Sequence, residues 1–261
     1  MAEMKFKFTI QPYQTEAVDS VVGVFAGQPF NDHFTYRRDV EIKRDVTNWM
    51  LSDEELYMGF ANAKVQLDYG QLLENIRHIQ TRNNIKLSDS LKSGELGICS
   101  LDVEMETGTG KTYVYIKTMF ELNKQYGWSK FIVVVPSIAI REGVRKSLET
   151  MQEHFMEYYG KKVRFFTYNS KNLTDIDNYS QSADINVMII NTQAFYARGK
   201  DARRIRMELD NFGSRRPIDI IKANRPIVIL DEPQKMGGKA TQESLKEFNP
   251  LFCLNYSATH K

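Results

Sequence analysis

The residues Glu106-Thr107-Gly108-Thr109-Gly110-Lys111-Thr112 have the types and spacing that hold a polyphosphate. Glycines and small hydroxyl residues let successive backbone N–H groups curl around phosphate oxygens. A helix opening at Lys111 would aim the positive end of its dipole at the same anion. The Lys111 ammonium would reach the outer phosphates as a mobile point charge, and the Thr112 hydroxyl would help hold Mg2+. Out of context a glycine-rich stretch is an ordinary turn. Here an apolar run, Ile98 to Met105, precedes it and a helical pattern follows, the setting in which such a loop binds nucleotide. Loops of this kind usually begin with glycine, and Met105 stands at that position.

Hydrolysis of a bound triphosphate also needs a carboxylate for the metal and a group to orient water. Ile227-Val228-Ile229-Leu230-Asp231-Glu232 supplies both at the end of an apolar run. Ligands of open α/β sheets bind at the carboxyl ends of strands, so this pair and the phosphate loop are expected to meet there. Asp231 is assigned to the metal, through water, and Glu232 to the attacking water as general base.

The elements that must position these groups follow a rhythm of short apolar runs and helical stretches. The runs are Ile98–Met105, Phe131–Val135, Val163–Tyr168, Val187–Ile190, Ile227–Leu230 and Leu251–Tyr256, rich in Val, Ile and Phe and nearly continuous in apolar character. Such runs suit strands of a parallel sheet covered on both faces. Helices are expected at Lys111–Tyr126 and Ile138–Tyr159, each stopped by glycine, and at Gln193–Leu209 and Thr241–Phe248. The alternation predicts a doubly wound, mainly parallel α/β sheet. Residues 27–97 break the rhythm: they are polar, with a capping-box pattern at Ser52 and Glu55 and a helical look up to Ile79. They read as a mainly helical insertion between an N-terminal element, 1–26, and the nucleotide-binding lobe, 98–261.

A formal charge of +2 on 261 residues neither favours nor excludes nucleic acid. Cys99 and Cys253 lie in apolar runs without metal-ligand spacing and read as buried reduced thiols. The four histidines are scattered. The chain opens without a basic segment followed by a long apolar core, and no apolar run is long enough to span a bilayer, so the expected location is cytoplasmic. The basic residues Lys200, Arg203, Arg204, Arg206, Arg215 and Arg216 read as a solvated face, and the aromatics Phe155, Tyr158, Tyr159, Phe165, Phe166 and Tyr168 as packing.

Several segments then fall in a recognisable order. Asp231-Glu232-Pro233-Gln234 resembles the second motif of superfamily-two helicases and translocases. Gln11-Pro12-Tyr13-Gln14 looks like the upstream element whose glutamine reads the adenine edge, with Gln14 in that role and Tyr13 beside the base. Val135-Pro136-Ser137 to Arg141 and Asn191-Thr192-Gln193 resemble the motifs that contact the backbone of the tracking strand. On their own, Pro136, Ser137 and Arg141 would be a strand-to-helix turn with a surface arginine, although such groups suffice for phosphate contact. Ser257-Ala258-Thr259 matches the motif that couples nucleotide state to movement, and Gln234 is placed with Ser257 and Thr259 in that coupling.

The finer resemblance is to the Res subunit of type III restriction enzymes. It rests on Met-Glu-Thr-Gly-Thr-Gly-Lys-Thr at 105–112, Val-Pro-Ser at 135–137, Asp-Glu-Pro-Gln at 231–234 and the long interval after Gln14. It covers most of the chain, with the insertion matched most vaguely. It implies a three-layer RecA-like phosphate-loop NTPase lobe using ATP and Mg2+, acting on double-stranded DNA with a methyltransferase (modification) subunit. It also implies a second RecA-like lobe and a nuclease domain, absent from these residues. The chain therefore reads as a first motor lobe, a fragment expected to bind ATP weakly and to hydrolyse it slowly or not at all. Two alternatives stay open at this point: another superfamily-two DNA helicase or translocase, and an ATP-dependent binding module without motor action.

Overall fold

A computed structural model describes residues 8–32, 35–37, 58–92, 96–196, 204–208, 215–236 and 238–258. Six strands form one parallel sheet: β3 (Ser100–Glu104), β4 (Lys130–Val135), β5 (Val163–Thr167), β6 (Ile185–Asn191), β7 (Ile227–Asp231) and β8 (Cys253–Ser257), in the spatial order β3-β8-β7-β4-β6-β5. All six are strands expected from the apolar runs. Two short strands, β1 (Thr35–Arg37) and β2 (Met58–Phe60), pair antiparallel outside this sheet.

Every residue of β4, β6 and β7 is buried, as expected where helices cover both faces. On β4, Phe131, Val133 and Val135 pack to one side and Ile132 and Val134 to the other. The first side is covered by α1 (Pro12–Gly23), α3 (Lys111–Tyr126) and α4 (Ile138–Tyr159), and the second by α5 (Thr174–Gln181), α7 (Pro217–Asn224) and α8 (Lys239–Glu247). Helix α2 (Tyr69–Arg82) lies beside α1, and α6 (Gln193–Tyr196) follows β6. This is the three-layer RecA-like α/β arrangement.

The bounds of α3 and α4 agree with the sequence reading because both ends carry local signals. Helix α3 stops at Gly127, whose φ of +82° suits glycine, and a Cβ there would lie 2.4 Å from the Asn31 carbonyl oxygen. Helix α4 is capped by Ser137, whose Oγ accepts from the Ile140 N–H at 3.3 Å, and ends at Gly160 with φ +65°.

Two expectations differ among the described residues, and a third falls outside them. The helix foreseen over Gln193–Leu209 is described as helical only to Tyr196, with a single 3-10 turn at Arg204–Arg206. The predicted Ser52–Glu55 capping box lies outside the described residues. Among those described in 27–97, helix begins only at Tyr69, where Asp68 and Gln71 form a reciprocal capping box.

Residues 61–68 before it have no regular secondary structure and are tied to the amino-terminal end of the sheet. The Asn62 side chain donates to the Lys130 and Arg225 carbonyls at 2.9 and 3.0 Å and accepts from the Ser129 and Lys130 N–H groups at 2.8 and 3.0 Å. The Trp128 indole donates to the Ala63 carbonyl at 2.9 Å, and Asn224 Nδ2 to the Phe60 carbonyl at 2.7 Å. A polar segment persists here because distant backbone groups satisfy it, which a local helix signal does not encode.

The two cysteines are free and buried, and burial pushes both thiols up to about 12. Arg206 pairs with Glu247 at 2.7 Å and Arg216 with Asp219 at 2.6 Å, so these members of the basic run neutralise neighbouring acids. No described helix is long and apolar enough to cross a membrane.

Candidate nucleotide-binding site

The phosphate loop leaves the end of β3 and runs into the N-terminus of α3. Gly108 and Gly110 adopt φ of +84° and +87°, the left-handed region that lets the chain curl. Thr109 folds back, its Oγ1 donating to the Glu106 carbonyl at 2.6 Å. Gly110 caps α3, and the Val114 N–H bonds to its carbonyl at 3.0 Å. Thr107, Gly108 and Glu106 are exposed, while Lys111 and Thr112 are half-buried in the first turn.

Helix α1 grips this loop from the side. Tyr13 Oη and Gln14 Nε2 both donate to the Thr109 carbonyl, at 3.1 and 2.9 Å. Gln14 is buried, and its Nε2 would lie 2.6 Å from a Cβ at Gly110, so the glycine is needed for close approach as well as for its φ. The two residues expected at the adenine thus sit against the loop, and Tyr13 remains 47% exposed.

Opposite the loop, β7 ends in Asp231 and the chain turns sharply at Glu232, a non-glycine residue with φ +62°. Strained backbone at such a position is a functional hint, because the surrounding structure must hold it there. Glu232 Oε1 meets Lys111 Nζ at 3.1 Å, and the two side chains are 15% and 11% exposed. Gln234 Nε2 donates to the other Glu232 oxygen, and Lys111 also donates to the Met105 carbonyl at 3.3 Å. Lys111 and the acidic pair therefore lie side by side at the carboxyl end of the sheet.

Asp231 is buried, and its carboxyl is pushed up to about 6, chiefly by loss of solvent and then by Glu232 beside it, against the opposing pull of Lys111. The fully buried Tyr115, one turn after Thr112, has its hydroxyl close enough to Thr112 and Asp231 to influence both, but in no contact that meets hydrogen-bond geometry. Burial and the Asp231 charge raise its own pKa well above the usual phenol value. Sequence reasoning gave Tyr115 no role; the signal available was its i, i+3 spacing from Thr112.

Strand β8 lies between the strands that carry the two halves of the cleft. Its last carbonyls reach outward: Ser257 O accepts from the Met105 N–H at 3.0 Å, and Tyr256 O from the Glu232 N–H at 2.8 Å. Ser257 is therefore beside the cleft with Gln234, while Thr259 lies outside the described residues.

The residues expected on DNA form a separate group at the same end of the sheet. Arg141 Nη1 donates to Asn191 Oδ1 at 3.3 Å, and Thr192 Oγ1 to the Pro136 carbonyl at 3.3 Å, so the two motifs touch. Ser137 caps α4 and Gln193 is exposed. Arg141 also pairs with Glu142 at 3.0 Å.

The donor set suits a hard divalent cation bound jointly with a nucleotide. Asp231 and Thr112 offer oxygen ligands, the Tyr115 hydroxyl lies near both, and Lys111 contacts Glu232 next to Asp231. No cluster of three or more His, Cys, Asp or Glu among the described residues could form a cage for a metal by itself. Mg2+ typically takes one or two protein groups and completes its shell with phosphates and water.

Residues 73–261 match the family model described as type III restriction enzyme, res subunit. The EcoP15I Res subunit of Escherichia coli is 30% identical over an alignment covering 97% of this chain and 26% of that protein. The EcoPI Res subunit of Escherichia phage P1 is 29% identical, covering 95% and 25%. The StyLTI Res subunit of Salmonella typhimurium is 30% identical, covering 70% and 20%. The chain thus spans about a quarter of the length of the first two relatives. With a RecA-like sheet, a phosphate loop and a facing acidic turn, the chain belongs to the family of type III restriction enzyme Res subunits.

Proposed function

We propose that this chain is the ATP-binding first lobe of a DNA-dependent translocase, within the restriction subunit of a type III restriction-modification enzyme. The observation that carries the reading is the 3.1 Å contact between Lys111 and Glu232, with Asp231 buried beside them. It supports a single cleft in which loop amides, an ammonium and two carboxylates face a triphosphate.

The backbone N–H groups of Thr107 to Thr112 would cradle the phosphates, with Lys111 on the outer oxygens. Tyr13 and Gln14 would lie along the base side of the loop. Thr112 and Asp231 would hold Mg2+, which supplies charge neutralisation on the β- and γ-oxygens. Glu232 would accept a proton from the water that attacks the γ-phosphorus, leaving ADP and inorganic phosphate. Without nucleotide, Glu232 is engaged by Lys111 and Gln234, so an incoming γ-phosphate must take Lys111 before Glu232 is free to act as a base.

Pro136, Ser137, Arg141, Asn191, Thr192 and Gln193 would contact the phosphates of double-stranded DNA, and Gln234, Ser257 and Thr259 would couple nucleotide state to movement. Cleavage would need the second RecA-like lobe, the nuclease domain and the modification subunit.

The test is binding of a fluorescent ATP analogue with and without Mg2+. Lys111→Ala is expected to weaken binding by roughly 10- to 100-fold, the equivalent of about 1.5–3 kcal/mol for a charged hydrogen bond. Equal affinity of wild type and Lys111→Ala overturns the reading. In a full-length Res protein the companion measurement is DNA-stimulated ATP hydrolysis, which the same substitution should abolish.

A further inference from the structure

Tyr115 has no role in the chemistry above, although its surroundings are unusual. Its side chain is fully buried, and its hydroxyl lacks a hydrogen-bond partner. Buried hydroxyls are costly to leave unpaired, and native proteins rarely do so without a reason. The position is fixed from two sides. Tyr115 stands three residues after Thr112 on α3, so both project from one face of the helix. Its ring also packs edge-on against Tyr256 with centroids 5.5 Å apart, and Tyr256 is the β8 residue in register with Asp231. The Tyr256 hydroxyl is already engaged, lying 3.3 Å from Thr118 Oγ1. Tyr115 is left as the phenol whose hydroxyl lies near both Thr112 and Asp231 without a bond of good geometry to either.

We propose that the Tyr115 hydroxyl is a positioning group that orients Thr112 and Asp231 for the divalent cation of the nucleotide complex. The inference rests on the assignment of those two residues to the metal. Physically, a carboxylate with two equivalent oxygens and a freely rotating hydroxyl must both be aimed before they bind one small ion at short range. A phenol held rigidly by the packing of its ring can donate to one carboxylate oxygen, leaving the other turned toward the cation, or accept from the Thr112 hydroxyl. Groups that orient metal ligands in this way commonly change metal affinity 10- to 100-fold when removed. The unpaired state of the hydroxyl is then the resting condition of a group whose partner is completed with the nucleotide.

Tyr115→Phe removes the hydroxyl and keeps the ring against Tyr256. The readout is the Mg2+ concentration that gives half of the metal-dependent gain in affinity for a fluorescent ATP analogue. Wild type, Tyr115→Phe, Asp231→Asn and the double variant are compared on this 261-residue chain. Tyr115→Phe should raise the Mg2+ midpoint by about 10-fold. In the Asp231→Asn background the same change should have little further effect, because the carboxylate it orients is gone. Its melting temperature without nucleotide should be no lower than that of wild type, since no formed hydrogen bond is lost.

An unchanged Mg2+ midpoint overturns the proposal, as does a clear loss of thermal stability or an equal loss of affinity from Tyr115→Phe without Mg2+. The assignment of Asp231 fails separately, if wild type shows no Mg2+-dependent gain or Asp231→Asn retains it.

Discussion

The two ends of the parallel sheet are built on opposite terms. At the amino-terminal end, Asn62 makes four hydrogen bonds to the backbone of two segments, and Trp128, Asn224 and Arg225 add further ties. At the carboxyl end, Asp231 is buried with a raised pKa, Glu232 holds a left-handed backbone and Tyr115 keeps an unpaired hydroxyl. One end ties most of its polar side chains to backbone within the chain, with Asn224 Oδ1 left unpaired. The other holds them in arrangements that a ligand would complete. Local stability and local function are thereby separated along the strand direction, with the fully buried β4, β6 and β7 between them.

That contrast is open to direct attack. The largest effect should come from Asn62→Ala, which strands two N–H groups and two carbonyls in a buried setting. At about 1–3 kcal/mol for each group left unsatisfied, partly relieved by water, the loss should be about 4 kcal/mol in denaturant unfolding. A loss under about 1 kcal/mol would break the comparison.

The opposite sign is expected at the other end. The folded-state pKa of Asp231 is raised from 3.8 to about 6, so its favourable contribution exists below pH 4 and is lost as pH rises through 6. Asp231→Asn should therefore stabilise the nucleotide-free chain at neutral pH by up to about 3 kcal/mol, and the advantage should vanish near pH 4. A destabilised Asn variant at pH 7 would count against a carboxylate held at the expense of stability.

Lys130 sharpens the picture at the amino-terminal end. It is buried, its ammonium donates to the Tyr179 and Ser182 carbonyls, and burial lowers its pKa from 10.5 to about 7. The unfolded chain binds the extra proton between those values, so stability relative to Lys130→Met should increase as pH rises from 7. Over the window from pH 7 to 9, below the titration of exposed tyrosines, the gain should be about 2 kcal/mol. A flat difference in melting across that window would show that the two carbonyls hold the ammonium without penalty.

The sheet and the cleft were legible in the residues to different depths. The six strands show themselves because burial on both faces demands unbroken runs such as Phe131–Val135. Helices α3 and α4 carry glycine stops at 127 and 160. The short helices α5 and α7, of eight residues each, leave little periodicity to read. The course of 61–68 is set by partners more than sixty residues away in sequence, which local pattern does not contain. In the cleft, Lys111, Asp231 and Glu232 announce themselves by type and spacing. Tyr115 does not, because a buried aromatic on a helix is ordinary until its hydroxyl is found facing Thr112 and Asp231 without a bond.

The final two residues of β8 give the cleft a mechanical property. One peptide carbonyl fastens the root of the phosphate loop and the preceding one fastens the acidic turn, so the two walls hang from neighbouring links of one strand. A tug of an ångström on the segment leaving Ser257 would tilt both walls together, with no intermediate relay. Any neighbour that grips that segment would have its hand on the lysine side and the carboxylate side at once.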